Sequence, residues 1–160
     1  MLRSQASSPL CGSPPRMTLI SLSHADPEVA RYWDGQTYTG GEMRLRLARS
    51  HVDAYIVEAD REPVGYLQAY IEEAVPSVGS LDMFLVPSAR DRGLGADAAA
   101  TLARWLVDAG NVQRLTVDPY LSNTRAIRAW TKAGFQPVEK REPDSEHTAP
   151  WLRMVYVSHA

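Results

Sequence analysis

The chain has 160 residues, 44% of them hydrophobic, enough for one domain with a buried core and too few for two of ordinary size. Seventeen Lys and Arg against nineteen Asp and Glu leave a formal charge of −2, which offers no basic field for nucleic acid and points to a small partner. The single cysteine, Cys11, permits neither an internal disulfide nor a cysteine metal cluster and fits a reducing, cytoplasmic setting; no run approaches the roughly 18 apolar residues of a membrane span.

Residues 1–16, MLRSQASSPLCGSPPR, lack the apolar core of a secretory signal, and their Ser, Pro and Gly content predicts a disordered tail. Met17 is an alternative start, and residues 17–160 are expected to form a single domain. MTLISL (17–22) reads as a short strand, and Asp26-Pro27 opens a helix through EVARYW, with Asp as cap and Pro at the first helical position. Thr39 and Glu42 have capping-box spacing for a second helix across Thr39–Ser50. AYIVEAD and PVGYLQAYIE, joined by Asp60-Arg61-Glu62, predict an antiparallel hairpin.

SLDMFLV is a third strand-like run, ending at Pro87. A helix follows from Gly93 to about Ala109, with Leu94, Ala98, Leu102, Trp105, Leu106 and Ala109 on one face and Gly110-Asn111 as its stop. RLTVDP is a further strand, SNTRAIRAWTKAGF a helix ending at Gly134, and WLRMVYV a terminal strand. This order predicts an α/β sandwich: a mixed, mostly antiparallel sheet of about six strands covered by helices on both faces. No repeat or heptad pattern is present.

Two features carry chemistry. Arg90 to Ala96, RDRGLGA, lies between a strand and a helix, where free N–H groups, the helix dipole and the cations Arg90 and Arg92 suit an anion such as a pyrophosphate. It lacks the GxxxxGK[ST] spacing and has two of the three glycines of a dinucleotide fingerprint, so the bare turn fits a plain helix start equally well. Asp82 sits inside the apolar SLDMFLV run, on the same strand face as Phe84 and Val86, in a partly dry setting suited to taking a proton. A buried acid satisfied by arginine or backbone N–H groups is the alternative.

Arg90-Asp91-Arg92-Gly93-Leu94-Gly95 resembles the (Q/R)xxGx(G/A) loop of the GNAT superfamily of acyl-CoA N-acyltransferases. About 30 residues later, DPYLSNTRAIRAWTKAGF resembles the family's DPxxxNxRAIxxYxKxGF block. The span from Asp26 to Val157 can be laid on this pattern. Within the superfamily the chain is most similar to aminoglycoside 6′-N-acetyltransferases, through DPEVARYW, PVGYLQAY and the aspartate of LDMFLV.

The resemblance implies acetyl-CoA as coenzyme, contacted by Arg90, Arg92, Gly93, Leu94, Gly95 and Ala96 at its pyrophosphate and by Phe84, Leu85, Val86, Asn123 and Ala126 along its arm. It implies a β-bulge near Phe84–Val86 that turns a backbone N–H toward the thioester carbonyl. It further implies acetyl transfer to a primary amine of a small cationic acceptor, an aminoglycoside 6′-amino group, with Asp82 taking the amine proton. Trp33, Asp34, Gln68, Tyr70, Asp82 and Asp118 are then acceptor contacts, with Glu72 and Glu73 either adding charge nearby or, the favoured alternative, standing as solvated strand-end charges; Trp33 and Tyr70 serve equally well as core, and Asp118 as a loop cap. The family's thiolate-protonating tyrosine is replaced by Trp130, an N–H donor that is no comparable acid.

Two departures keep other readings open. Only about nine residues separate Met17 from the DPEVARYW segment, and AVPSVGS stands where the aminoglycoside enzymes often carry a longer insertion, so a smaller or more open acceptor site follows. Another small amine, a siderophore precursor or a protein amine is the alternative acceptor, and a non-catalytic acyl-CoA sensor is the alternative of a different class. A monomer or homodimer, without nucleic-acid or membrane partner, is expected.

Overall fold

The computed structural model describes residues 2–4, 26–33, 51–72, 77–110 and 112–157, together with Thr39, Glu42, Leu45 and Arg49. Strand β1 (Leu2–Ser4) pairs antiparallel with β2 (Val52–Ala59). That corrects the expected tail for these three residues, whose backbone finds partners on an otherwise open sheet edge. Asp60 and Arg61 take φ of 52° and 68°, as a two-residue hairpin turn requires, and fold β2 onto β3 (Glu62–Glu72). β4 (Val78–Leu85) pairs antiparallel with β3, then β5 (Arg114–Val117) lies parallel beside β4. β6 (Phe135–Arg141) and β7 (Trp151–Tyr156) complete a seven-stranded sheet of order β1-β2-β3-β4-β5-β7-β6.

Sequence pattern missed β6. Only Phe135 of that strand is buried, so no two-residue apolar alternation marks it, and Pro137 reads as a breaker. Proline is tolerated because β6 is an edge strand. The strand expected at 17–22 lies outside the described residues, as do Asp34, Glu73 and Asn111.

Helix α1 (Pro27–Tyr32) is capped by the Asp26 carboxylate, which accepts the Glu28 N–H at 2.9 Å. It seats Val29 against Ile56, Tyr66 and Phe84 on one sheet face. Helix α2 (Leu94–Asp108) buries Gly95, Ala98, Ala99, Leu102, Ala103 and Leu106, packing on the opposite face with Leu67, Leu81 and Leu115. Small residues along this stripe let helix and sheet approach closely, and each fully buried Leu contributes about 1.5–3 kcal/mol. Trp105, expected on the buried face, is 50% exposed because it sits at the edge of the stripe centred on Leu102 and Leu106. Helix α3 (Thr124–Lys132) has Asn123 as N-cap and turns Trp130 edge-on to Phe135 at 5.4 Å. The Thr39–Glu42 capping box is present, Thr39 N donating to Glu42 Oε2 at 2.7 Å and Glu42 N to Thr39 Oγ1 at 3.3 Å.

β4 and β5 share three pairs, Val78↔Arg114, Gly79↔Leu115 and Ser80↔Thr116, and then part. β5 turns instead toward β7, where Leu152 N donates to Pro119 O at 2.9 Å, and Pro119 has no N–H with which to extend the ladder to β4. The bulge expected near Phe84–Val86 is absent from the register. β3 and β4 pair one for one from Glu72↔Val78 to Gly65↔Leu85, and the Val86 N–H continues to Val64 O at 2.9 Å. The open backbone edge arises from strand divergence, not from an inserted residue.

Candidate active site

A cleft of about 1220 Å³ runs through the gap between β4 and β5 and reaches both faces of the sheet. Backbone N–H groups alternate in direction along a strand, so the Val86 N–H aimed at β3 places those of Leu81, Met83 and Leu85 on the open edge toward β5. Side chains alternate too, which puts Ser80, Asp82 and Phe84 on the α1 face.

On that face Gln68 stands opposite Asp82 in the antiparallel register. Its Nε2 donates to Asp82 Oδ2 at 2.8 Å, and its Oε1 accepts from the Tyr66 hydroxyl at 2.9 Å. Tyr66 thereby fixes which end of the amide is the donor, and the amide fixes one carboxylate oxygen of a half-buried Asp82 at the cleft wall. Trp33 lines the cleft while packing on Phe84 at 5.5 Å and Tyr66 at 6.0 Å, so it is wall and core at once. Tyr70 and Glu72 line the same half, and Tyr70 meets His51 edge-on at 6.1 Å.

At the other half the chain leaves β4 through the turn Pro87–Ala89 and enters α2 at Gly93, whose φ of +82° is the left-handed conformation that a side chain disfavours. The first N–H groups of α2 have no intrahelical acceptor and form an anion cradle. Gly93, Gly95 and Ala96 line the cleft, as do Phe84, Leu85, Asn123 and Ala126. Asn123 Oδ1 accepts from Ala126 N at 3.1 Å, a cap that leaves its amide nitrogen for other partners. Val86, Arg92 and Leu94 lie off the cleft wall.

Arg90 lines the cleft and is also engaged within the chain: its Nη2 and Nη1 meet Asp26 Oδ2 at 2.5 Å and Glu28 Oε2 at 2.7 Å, and its Nε donates to Leu85 O at 3.0 Å. Burial opposes ionisation of Asp26, yet the Glu28 N–H and the Arg90 guanidinium together hold its carboxyl below the usual carboxylate range. Arg90 therefore ties α1 to the turn. Arg125 extends the network, meeting Glu28 at 2.6 Å and Asp91 at 3.3 Å. The loop cation missed from sequence is Lys132: its Nζ lies 3.7 Å from where a Cβ on Gly93 would stand, and it lines the cleft. The α3 repeat Arg125, Arg128, Lys132 was the available signal.

Asp118 sits where β5 leaves the sheet and lines the cleft, with His147 Nε2 3.3 Å from its Oδ2. His147 was passed over because its spacing suits no metal motif, and only the β5–β7 contact brings it to Asp118.

Comparison with known proteins bears on the family and the fold. A model of the acetyltransferase (GNAT) domain matches residues 19–142. The chain is 35% identical to aminoglycoside N(6′)-acetyltransferase type 1 of Klebsiella pneumoniae over 56% of this chain and 50% of that one. It is 36% identical to a kanamycin resistance protein of Rhizobium radiobacter over 41% of this chain and 61% of that one. The chain thus spans about half the length of the first of these curated relatives. The solved aminoglycoside acetyltransferase AAC(6′)-Ib in complex with coenzyme A and kanamycin superposes with a TM-score of 0.75 at 26% identity, covering 97% of this chain and 92% of that one. A spermidine N-acetyltransferase from Vibrio cholerae, in complex with coenzyme A and spermine, shares the fold at TM-score 0.79 and 12% identity, covering 97% and 93% of the two chains. The N–H cradle of α2, the open edge of β4 and the small Ala126 suit the phosphate and amide arm of coenzyme A. On the family match and the split sheet together, the chain belongs to the GNAT acetyltransferase family.

Proposed function

We propose that the chain transfers the acetyl group of acetyl-CoA to a primary amine of a small cationic acceptor, an aminoglycoside carrying a 6′-amino group. The observation that carries this is the placement, on the single strand β4, of a hydrogen-bonded carboxylate at Asp82 and an open N–H edge leading to the glycine turn.

Bound acetyl-CoA supplies an activated thioester. The N–H groups of Gly93 to Ala96 hold its phosphates, with Lys132 adding charge. With the thioester bound, the N–H groups of Leu81, Met83 and Leu85 on the open edge of β4 would be available to stabilise negative charge on its carbonyl oxygen. A primary amine is mostly protonated at neutral pH, and Asp82, oriented by Gln68, takes the proton that must leave, a role worth about 10²–10⁴ in rate; the amine nitrogen would bond the acetyl carbon as the carbon–sulfur bond breaks, and the coenzyme would leave as a thiolate that takes its proton from water. Asp118 and Glu72, both on the cleft wall, supply negative potential for further amino groups of the acceptor. Likeness to aminoglycoside acetyltransferases by sequence and by fold supports this acceptor class.

Calorimetry with acetyl-CoA, followed by free-thiol release on adding kanamycin or a panel of amines, tests the reading. Coenzyme binding with kanamycin-dependent thiol release is expected. Turnover confined to other amines overturns the acceptor, binding without any turnover favours an acyl-CoA sensor, and absence of binding overturns the whole reading.

A further inference from the structure

Beyond the strands, the loop between β6 and β7 lines the cleft with Ser145, Glu146, His147 and Thr148, of which His147 is the most firmly held. Asp144 Oδ1 accepts the backbone N–H groups of Glu146 at 2.9 Å and His147 at 2.8 Å, and also faces His147 Nδ1 at 2.9 Å. His147 lies flat on Trp151, with ring centroids 4.2 Å apart and planes 18° from parallel, and Tyr120 meets its edge at 5.9 Å. Only 13% of its side chain is exposed. Held on one face, one edge and Nδ1, the ring has one remaining nitrogen, Nε2, and it faces Asp118 Oδ2 at 3.3 Å.

We infer that His147 is a positioning residue for acceptor binding: Asp144 orients the imidazole, and its Nε2–H fixes one oxygen of Asp118 so that the other is presented to a cationic group of the acceptor. This rests on the proposed reading, in which Asp118 belongs to the acceptor half. An imidazolium has donors on both nitrogens and so satisfies both carboxylates, whereas a neutral ring satisfies one. A purely architectural histidine needs only the Trp151 stack and the Asp144 bond, neither of which accounts for Nε2 meeting a carboxylate on the cleft wall. Binding on Asp118 away from the reacting amine is felt equally in ground and transition states, so its loss appears in KM and not in kcat.

The two amide substitutions separate the roles. In His147→Gln the side-chain nitrogen reaches toward the Nε2 position and Asp118; in His147→Asn it replaces Nδ1 toward Asp144. With the acceptor that the wild-type chain acetylates, His147→Asn is expected to raise acceptor KM about tenfold at unchanged kcat and unchanged acetyl-CoA affinity, from loss of one hydrogen bond to a charged group. His147→Gln should recover most of that loss. The reverse order, with Gln the more damaging and both variants less heat-stable, makes His147 architectural and overturns the inference. Imidazole ¹⁵N spectra of the free chain test the contact without turnover: Asp118→Asn should shift the His147 Nε2 signal, and no shift overturns the contact. Absence of turnover in the wild-type chain together with a shifted Nε2 signal would condemn the acyltransferase reading and leave the Asp118–His147 contact standing.

Discussion

Asp82 and Asp118 stand at equivalent steps of two diverging strands, each two residues beyond the last parallel pair, Ser80↔Thr116. Paired residues of neighbouring strands point to the same face, so both carboxylates project on the α1 side of the opening. The gap between β4 and β5 thus carries a carboxylate on each lip, Asp82 hydrogen-bonded by Gln68 and Asp118 with His147 Nε2 3.3 Å away.

Replacing the Asp82 carboxylate by an amide of the same shape tests the proton-accepting role proposed for it. Asp82→Asn should lower kcat by about 10²–10⁴ at neutral pH with acetyl-CoA affinity unchanged, measured by thiol release and calorimetry. An Asn variant of near-wild-type rate would show that the amine loses its proton elsewhere.

In the proposed mechanism Gln68 acts through Asp82, to which it is hydrogen-bonded. Gln68→Leu removes the Nε2 donor to Asp82 and leaves the Tyr66 hydroxyl without the amide oxygen it serves. A hydrogen bond to a charged group amounts to about 1.5–3 kcal/mol, so kcat should fall at least tenfold while Tyr66→Phe costs far less. Equal effects from the two substitutions would contradict this order.

Arg90 links the acceptor wall to the coenzyme turn. Arg90→Gln breaks its contacts with Asp26 and Glu28, which are partly solvent-screened and together contribute about 1–2 kcal/mol. Hydrogen exchange of the α1 amides from Val29 to Trp33 should quicken, acceptor KM should rise, and amides of β4 should stay protected. Loss of coenzyme affinity with unaltered α1 exchange would return Arg90 to the phosphate.

Gly65 tests how closely β3 must approach β4. A Cβ there would stand 2.6 Å from Phe84 O, a backbone atom that cannot swing aside. Gly65→Ala should cost about 1–3 kcal/mol and lower the melting temperature by about 2–4 °C for each of them. An unchanged melting temperature would mean the two strands separate freely here.

The Asp144 loop has a defined acid limit. N–H bonds from Glu146 and the His147 contacts lower the Asp144 carboxyl from 3.8 to about 2. Its folded value lies below the unfolded one, so the contribution to loop stability is complete above about pH 4 and is lost as pH falls toward 2. The Glu146 and His147 amide resonances should titrate near pH 2; a midpoint near 4 would show that the carboxylate is not engaged in solution.

Local rules made much of this legible before any coordinates. The Asp26 cap, the Thr39–Glu42 box, the Asp60-Arg61 turn and the glycine after each long helix depend on neighbours a few residues apart. The glycine turn and the aspartate within an apolar run were readable for the same reason. β6 was not, since an edge strand exposed along most of its length carries no alternating pattern, and neither were the ion pairs of Arg90, because the carboxylates that meet it lie 62 and 64 residues away in sequence.

Composition, caps and short motifs therefore marked the helices and most of the strands, β1 and β6 excepted, and singled out one strand as the bearer of the proposed chemistry, because those signals are local. Whether β4 and β5 part, which cation reaches the glycine turn, and that His147 meets Asp118 were decided by sheet order and register. Those juxtapositions come from packing between distant segments, and no spacing along the chain encodes them.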